Sequence, residues 1–265
     1  MVNRRDDVYG SDFAGRMRFG TEVVRAVRAA VPSDFLVGLR MTGDPLTDDI
    51  GLGPDDMLEI ARYLDGLGAI DLFDISGGTG ATLETQAGTV PPDTFDRGCY
   101  LPLARAVKDV VSVPVLCAGR ILDAEQAEQA LAAGDCDLVA MTRAHMADPD
   151  IVTKLTAGEL DRVRPCIAIN DGCIGRSYQR LTVKCAVNPV LGHDELDRPE
   201  RATTPRRVVV VGGGPAGMEA ARVAASRGHQ VSLLEAGTGP RRADHHRAQV
   251  TAPAASRQAR GLVGQ

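Results

Sequence analysis

Tryptophan is absent, and aromatic residues make up only 3% of the 265 residues. Platforms on which bases or sugars stack need flat rings, so no such surface is expected. No run of 18 apolar residues occurs, which gives no transmembrane helix. The opening MVNRRDDVYGSD lacks the apolar stretch of a secretory signal. No charge of one sign dominates: 30 basic residues stand against 35 acidic, a net charge of -5. That balance argues against nucleic acid and anionic membrane as partners. Six Cys without an export signal point to a reducing, cytoplasmic setting, where thiols serve metals or redox chemistry more than disulfides.

What is present reads as α/β. Apolar runs at 35–41, 69–76, 113–119 and 136–142 have the character of buried parallel strands. Helical spacing and end signals mark 17–31, 54–69, 101–111, 123–134 and 145–158. Four strands, each followed by a helix, suit part of a (β/α)8 barrel or an open doubly wound sheet. Three strand tips are distinctive: Ser76-Gly77-Gly78, Gly119-Arg120 and Thr142-Arg143. Gly admits a phosphate close to backbone N–H groups, and Arg supplies a forked cation. Barrels commonly hold phosphate in the loops after strands 7 and 8, so these would be the second half of one. The plainer alternative is that Gly and Arg simply turn strand into helix.

Residues 159–205 break the alternation, with Cys166, Cys173 and Cys185 clustered ahead of a polar, Pro-bearing linker. Cys99, Cys117 and Cys136 read as small core residues. At 206–235 a strand runs into Gly212-Gly213-Gly214-Pro215-Ala216-Gly217, then a helix, then a strand closed by Glu235, 23 residues after the first Gly. In that context the glycines form a dinucleotide fingerprint. Gly212 makes the turn, Gly214 admits a pyrophosphate, Gly217 allows close helix packing, and Glu235 binds ribose hydroxyls. Residues 240–265 hold five Arg against one Asp and show no periodicity, the mark of a poorly packed tail.

Several stretches together resemble the old yellow enzyme group of NADH:flavin oxidoreductases, including 2,4-dienoyl-CoA reductase and trimethylamine dehydrogenase. They are NRRDDVYG with RMRF, VPVLCAGRI, LVAMTRAHMADPD, RPCIAINDGCIG with CAVNP, and GGGPAG. The resemblance runs from residue 3 to about 239. It implies the C-terminal half of an FMN-binding TIM barrel over 1–158, and an iron–sulfur Cys module and linker over 159–205. The start of a Rossmann-type FAD/NAD(P)-binding domain over 206–239 and an aberrant tail over 240–265 follow. It implies that Arg40 lies near flavin N1 and O2, where it stabilises the reduced ring, unless Arg40 is simply an ion pair within the barrel. It places Gly77, Gly119, Arg120, Thr142 and Arg143 around the FMN phosphate, with Thr142 standing where the family usually has Gly. The family's [4Fe–4S] spacing, Cys-x2-Cys-x3-Cys-x11-Cys, is met by Cys166, Cys173 and Cys185 at the first, third and fourth places. Ile169 holds the second, so a three-iron, a labile or no cluster is implied.

The resemblance further implies electron flow from NAD(P)H through FAD and the cluster to FMN, and hydride delivery to a small substrate with an activated C=C bond. The family's first four strands carry its substrate-binding His pair and Tyr, and no such residues precede Asn3. Two readings follow: a truncated oxidoreductase whose first half-barrel comes from another chain, or an inactive gene fragment with weak flavin binding. A frameshift near 236–240 is expected from the tail. A barrel enzyme with other chemistry is the weakest reading. His145, His193, His229, His245 and His246 read as solvated, and Asp6-Asp7, Asp48-Asp49 and Asp55-Asp56 as caps and loops.

Overall fold

The computed structural model describes residues 3–47, 52–193 and 199–236. The expected tail, the frameshift region beyond Ala236, His245, His246, Asp48-Asp49 and part of the linker lie outside the described residues. The element order is α1 (Phe13–Ala30), β1 (Gly38–Asp44), α2 (Pro54–Asp65), β2 (Leu72–Gly77), α3 (Leu83–Thr89), α4 (Leu101–Lys108) and β3 (Val115–Cys117). Next come α5 (Ala124–Ala132), β4 (Leu138–Val139), α6 (Thr142–Ala147), α7 (Ile151–Thr156), a 3-10 turn (Leu160–Arg162) and α8 (Ile174–Tyr178). The last elements are β5 (Arg207–Val211), α9 (Pro215–Ser226) and β6 (Gln230–Leu234).

Local chemistry sets the helix ends. Asp12 caps α1 by accepting from Gly15 N at 2.7 Å, and Pro32 stops the helix. Pro54 opens α2, and Asp56 reaches back to Gly53 N at 2.7 Å. Asp123 caps α5 through Gln126 N at 2.9 Å, and Gly134, with φ 75°, ends that unit. The helix expected over 145–158 is two helices, because Asp148-Pro149-Asp150 interrupts it. Proline removes a donor and pushes the residue before it out of the helical region. Asp148 there is fully buried and accepts from Lys154 Nζ at 2.5 Å, Arg164 N at 2.9 Å and Asp150 N at 3.2 Å. Burial works against this carboxylate, but the Lys154 and Arg164 bonds outweigh it and hold its pKa below the usual value. The expected strands at 113–119 and 136–142 are short, Val115–Cys117 and Leu138–Val139.

Strands β1 to β4 form one parallel sheet in sequential order, and no topological switch point occurs among them. One face carries the core: Leu39 and Met41 align with Phe73 and Ile75, which align with Val115 and Cys117. Ala61 and Leu64 of α2, Ala104 and Val107 of α4, and Ala127 and Ala130 of α5 pack on that row. Phe73, Ile75 and Val115 are fully buried, and each such side chain contributes about 1.5–3 kcal/mol. At the N-terminal end of the sheet, Arg28 bonds Phe35 O at 2.9 Å and the Asp71 carboxylate. Asp71 also accepts from Val37 N at 2.8 Å, so this contact ties α1 to the starts of β1 and β2. The opposite face carries the row Arg40, Asp74, Leu116 and Leu138. β5 and β6 form a separate two-stranded parallel sheet on which α9 packs.

Candidate functional site

The C-terminal ends of β2 and β3 meet around Tyr100. A Cβ on Gly77 would enter the Tyr100 ring, and one on Gly119 would lie 2.8 Å from Tyr100 Cβ. Tyr100 Oη donates to Gly88 O at 2.6 Å. Packing against this buried ring is reason enough for Gly at both positions. Thr42 Oγ1 lies 3.0 Å from Gly78 O and ties the tip of β1 to that of β2.

Arg120 follows Gly119 at this ring, and Arg143 lies within the electrostatic reach of Arg120. Arg120 has φ 55°, a left-handed conformation that costs an ordinary side chain about 1–2 kcal/mol. Its guanidinium donates to Phe95 O, while its Nε is buried with no partner. Arg143 is half-buried at the start of α6 and donates to Asn170 Oδ1 at 2.7 Å. Burial pushes the Arg143 guanidinium below its ordinary pKa; the Cys166 and Cys173 thiols oppose that, and the like charge of Arg120 adds to it. Among the described residues neither arginine pairs with a carboxylate. Two neighbouring, partly desolvated cations with an orphaned donor make a site suited to an anion. Thr142 is exposed and begins α6. Cys99 sits within the field of both arginines, its Sγ 3.9 Å from Gly119 O; burial raises its pKa, and the two arginines lower it. Cys117 and Cys136 are buried in the core.

Arg40 Nη1 lies 3.4 Å from Asp74 Oδ2, across the β1–β2 register. The ion pair that the sequence left as an alternative is therefore present. Asp74 Oδ1 is buried with no partner, and burial raises the Asp74 pKa against the lowering effect of Arg40. Asp74 was legible as facing away from Phe73 and Ile75 by strand alternation, yet its pairing with Arg40 depends on register.

Cys166, Cys173 and Cys185 line one small cavity with Ile169, Asn170 and Lys184. Its volume is about 30 Å³, room for about one water. Ala168 and Asn170 both have left-handed φ, 57° and 61°, which coil the loop around it. Burial raises the Cys166 pKa; an N–H from Ala168 and the Arg143 charge lower it. Among the described residues no three His, Cys, Asp or Glu side chains are placed to hold one metal ion. With three thiols and an isoleucine at the fourth corner, these residues do not supply the ligands of a four-thiolate cluster.

In the second sheet, Gly212 has φ 105° and turns the chain from β5 into α9. A Cβ on Gly217 would fall on the Gly212 carbonyl oxygen, so the loop closes directly on the helix. Gly214 has open space at its Cβ position. Glu235 accepts from Gly213 N at 2.6 Å, which places its carboxylate across the mouth of the loop.

Two families match this layout. Residues 1–161 match the NADH:flavin oxidoreductase / NADH oxidase family, and residues 184–260 match pyridine nucleotide-disulphide oxidoreductase. The chain belongs to the NADH:flavin oxidoreductase / NADH oxidase family. It is 46% identical over 99% of its length to the N,N-dimethylglycine/sarcosine dehydrogenase of Chromohalobacter salexigens, covering 37% of that protein. It is 39% identical over 88% of its length to the NADH oxidase of Thermoanaerobacter brockii, covering 36% of it. The structure of a 2-naphthoyl-CoA reductase complex superposes with a TM-score of 0.79 at 32% identity, over 87% of this chain and 35% of that one. This chain thus spans little more than a third of the length of these relatives. Among the described residues no helix is long and apolar enough to cross a membrane.

Asn170 and Tyr100 are site residues that the sequence did not single out. Asn170 was visible only as a member of the CIAIN stretch, and its reach to Arg143 is a tertiary fact.

Proposed function

We propose that the chain is part of an FMN-dependent oxidoreductase of this family, in which 1–158 is the C-terminal half of a (β/α)8 barrel. On this reading 159–205 is a Cys module and linker, and 206–239 opens an FAD/NAD(P)-binding domain. The sequential parallel order of β1 to β4, with helices on one face, supports the half-barrel. The observation that carries the function is the pair Arg120 and Arg143, unpaired by acids and with one buried donor unsatisfied.

Arg120 and Arg143 hold the FMN phosphate, with the Gly77, Gly119 and Thr142 backbones at the rim. Arg40 stands at the ring's N1–O2 edge, where a fixed cation favours negative charge, and Asp74 holds its guanidinium in place. FMN held by these residues would supply two-electron hydride exchange with a small substrate, as donor to an alkene or as acceptor from an amine. Gly212, Gly214, Gly217 and Glu235 hold an adenine dinucleotide, with the pyrophosphate at the start of α9 and the ribose at Glu235. No step is assigned to an iron–sulfur cluster. The setting is cytoplasmic.

The substrate follows one of two classes. Reduction of an activated C=C bond is supported by relatives named cinnamate reductase and alkene reductase. Oxidation of an N-methylated amine is supported by the dehydrogenase that matches 99% of the chain. The alternative is an inactive gene fragment with at most weak flavin binding.

Flavin fluorescence titration of the purified chain tests the reading. FMN binds at least about tenfold tighter than riboflavin, since the phosphate adds charge-assisted hydrogen bonds. Arg143→Gln removes that difference. Equal binding of the two flavins, or none of either, overturns it; the fragment reading predicts the latter.

A further inference from the structure

Asn170 belongs to the loop between Cys166 and Cys173, yet its side chain serves two other segments. Its Oδ1 accepts from Arg143 Nη1 at 2.7 Å, and its Nδ2 donates to Val90 O at 2.6 Å. A carbonyl needs the amide's NH2 and a guanidinium needs its oxygen, so the two contacts fix which way the amide points. The backbone is fixed as well: φ is 61°, and Asn170 O accepts from Gly175 N at 2.9 Å. Asparagine is among the few residues that tolerate this conformation.

The chemistry of the partner matters. A carboxylate at this place would orient Arg143 but also neutralise it. A neutral amide orients the guanidinium and leaves its whole charge for a ligand. Arg143 is already partly desolvated beside Arg120, so a freely rotating side chain would turn away from its neighbour's charge. We propose that Asn170 is a positioning residue that aims Arg143 at the phosphate of FMN. This inference rests on the reading of Arg120 and Arg143 as the phosphate clamp. It also makes the thiol loop part of the clamp, since moving that loop moves Asn170.

The test compares FMN with riboflavin on the full chain, for the wild type, Asn170→Ala and Asn170→Asp. A positioning role acts only through the phosphate, whereas a merely structural role weakens both flavins alike. Asn170→Ala is expected to weaken FMN about tenfold, the loss of one hydrogen bond to a charged group, and to change riboflavin less than about twofold. Asn170→Asp, nearly identical in shape, weakens FMN at least as much, because its carboxylate pairs with Arg143 and repels phosphate. Equal losses for the two flavins overturn the proposal. So does unchanged FMN binding in either variant; should the alanine variant fail to fold, the aspartate variant decides. A wild type without FMN preference instead removes the phosphate reading, and the proposal with it.

Discussion

Arg120 lowers the stability of the protein when no anion is bound, and Asn in its place should show by how much. Its left-handed backbone costs about 1–2 kcal/mol for most side chains, and Asn is nearly free of that cost. Its Nε is buried and unpaired, at a cost of about 1–3 kcal/mol. Against these gains stands the lost charge-assisted bond to Phe95 O, about 1.5–3 kcal/mol, together with some packing of the Arg stem. Arg120→Asn should therefore stabilise the ligand-free protein by about 1 kcal/mol. Urea denaturation measures this directly. FMN should reverse the order: a ligand at 100 times its dissociation constant adds about 2.7 kcal/mol to the wild type. The variant, lacking half of the clamp, should gain little. If Arg120→Asn is less stable without FMN, or if both proteins gain equally from FMN, Arg120 is a structural residue and the clamp argument fails.

Other perturbations test separate parts. Gly217→Ala puts a methyl on the Gly212 carbonyl, so it should force the β5–α9 turn open, cost about 1–3 kcal/mol and abolish FAD binding measured by calorimetry. Asp148→Asn strands the half-buried Lys154 and should cost about 3 kcal/mol in urea denaturation. The folded pKa of Asp148 lies below its unfolded value of about 3.9, so its contribution is complete above that pH and is lost as pH falls through the folded value. The variant should lack this acid step. Ile169→Cys supplies the absent fourth thiol, so anaerobic reconstitution should load about four irons per chain, a stoichiometry the wild type does not reach. Equal iron content in the two would show that the loop does not depend on that corner.

The core was legible because its signals are local. Buried strands read as apolar runs, and Pro54 and Asp123 announce their helices within a few residues, whereas α1 starts at Phe13 behind its Asp12 cap, ahead of the 17–31 that spacing predicts. The break at Pro149 was equally local, yet the helical pattern on both sides of it concealed the break. Helix α3 was missed because LETQAGT is only seven residues long, with Gly and two Thr weakening its helical signal. A reciprocal cap between Thr82 and Thr85 and close packing of Gly88 beneath Tyr100 hold it in place. The site was half legible. Gly-Arg tips mark strand ends, but the Tyr100 ring that requires Gly77 and Gly119 is a long-range contact. The same holds for the Arg40–Asp74 pair and for Asn170. None of these contacts lies within one element, and no periodicity encodes them.

The Gly213–Glu235 contact bears on how the second site waits. A carboxylate at the mouth of a glycine loop would ordinarily be restless, and its loop with it. Here the backbone N–H of Gly213 already occupies one of the several lone pairs such a group offers. On the proposed reading, an incoming sugar would meet an acid oriented beforehand by the very loop that binds its diphosphate. Association then needs little rearrangement, and the vacant and filled forms should differ in chemistry far more than in shape.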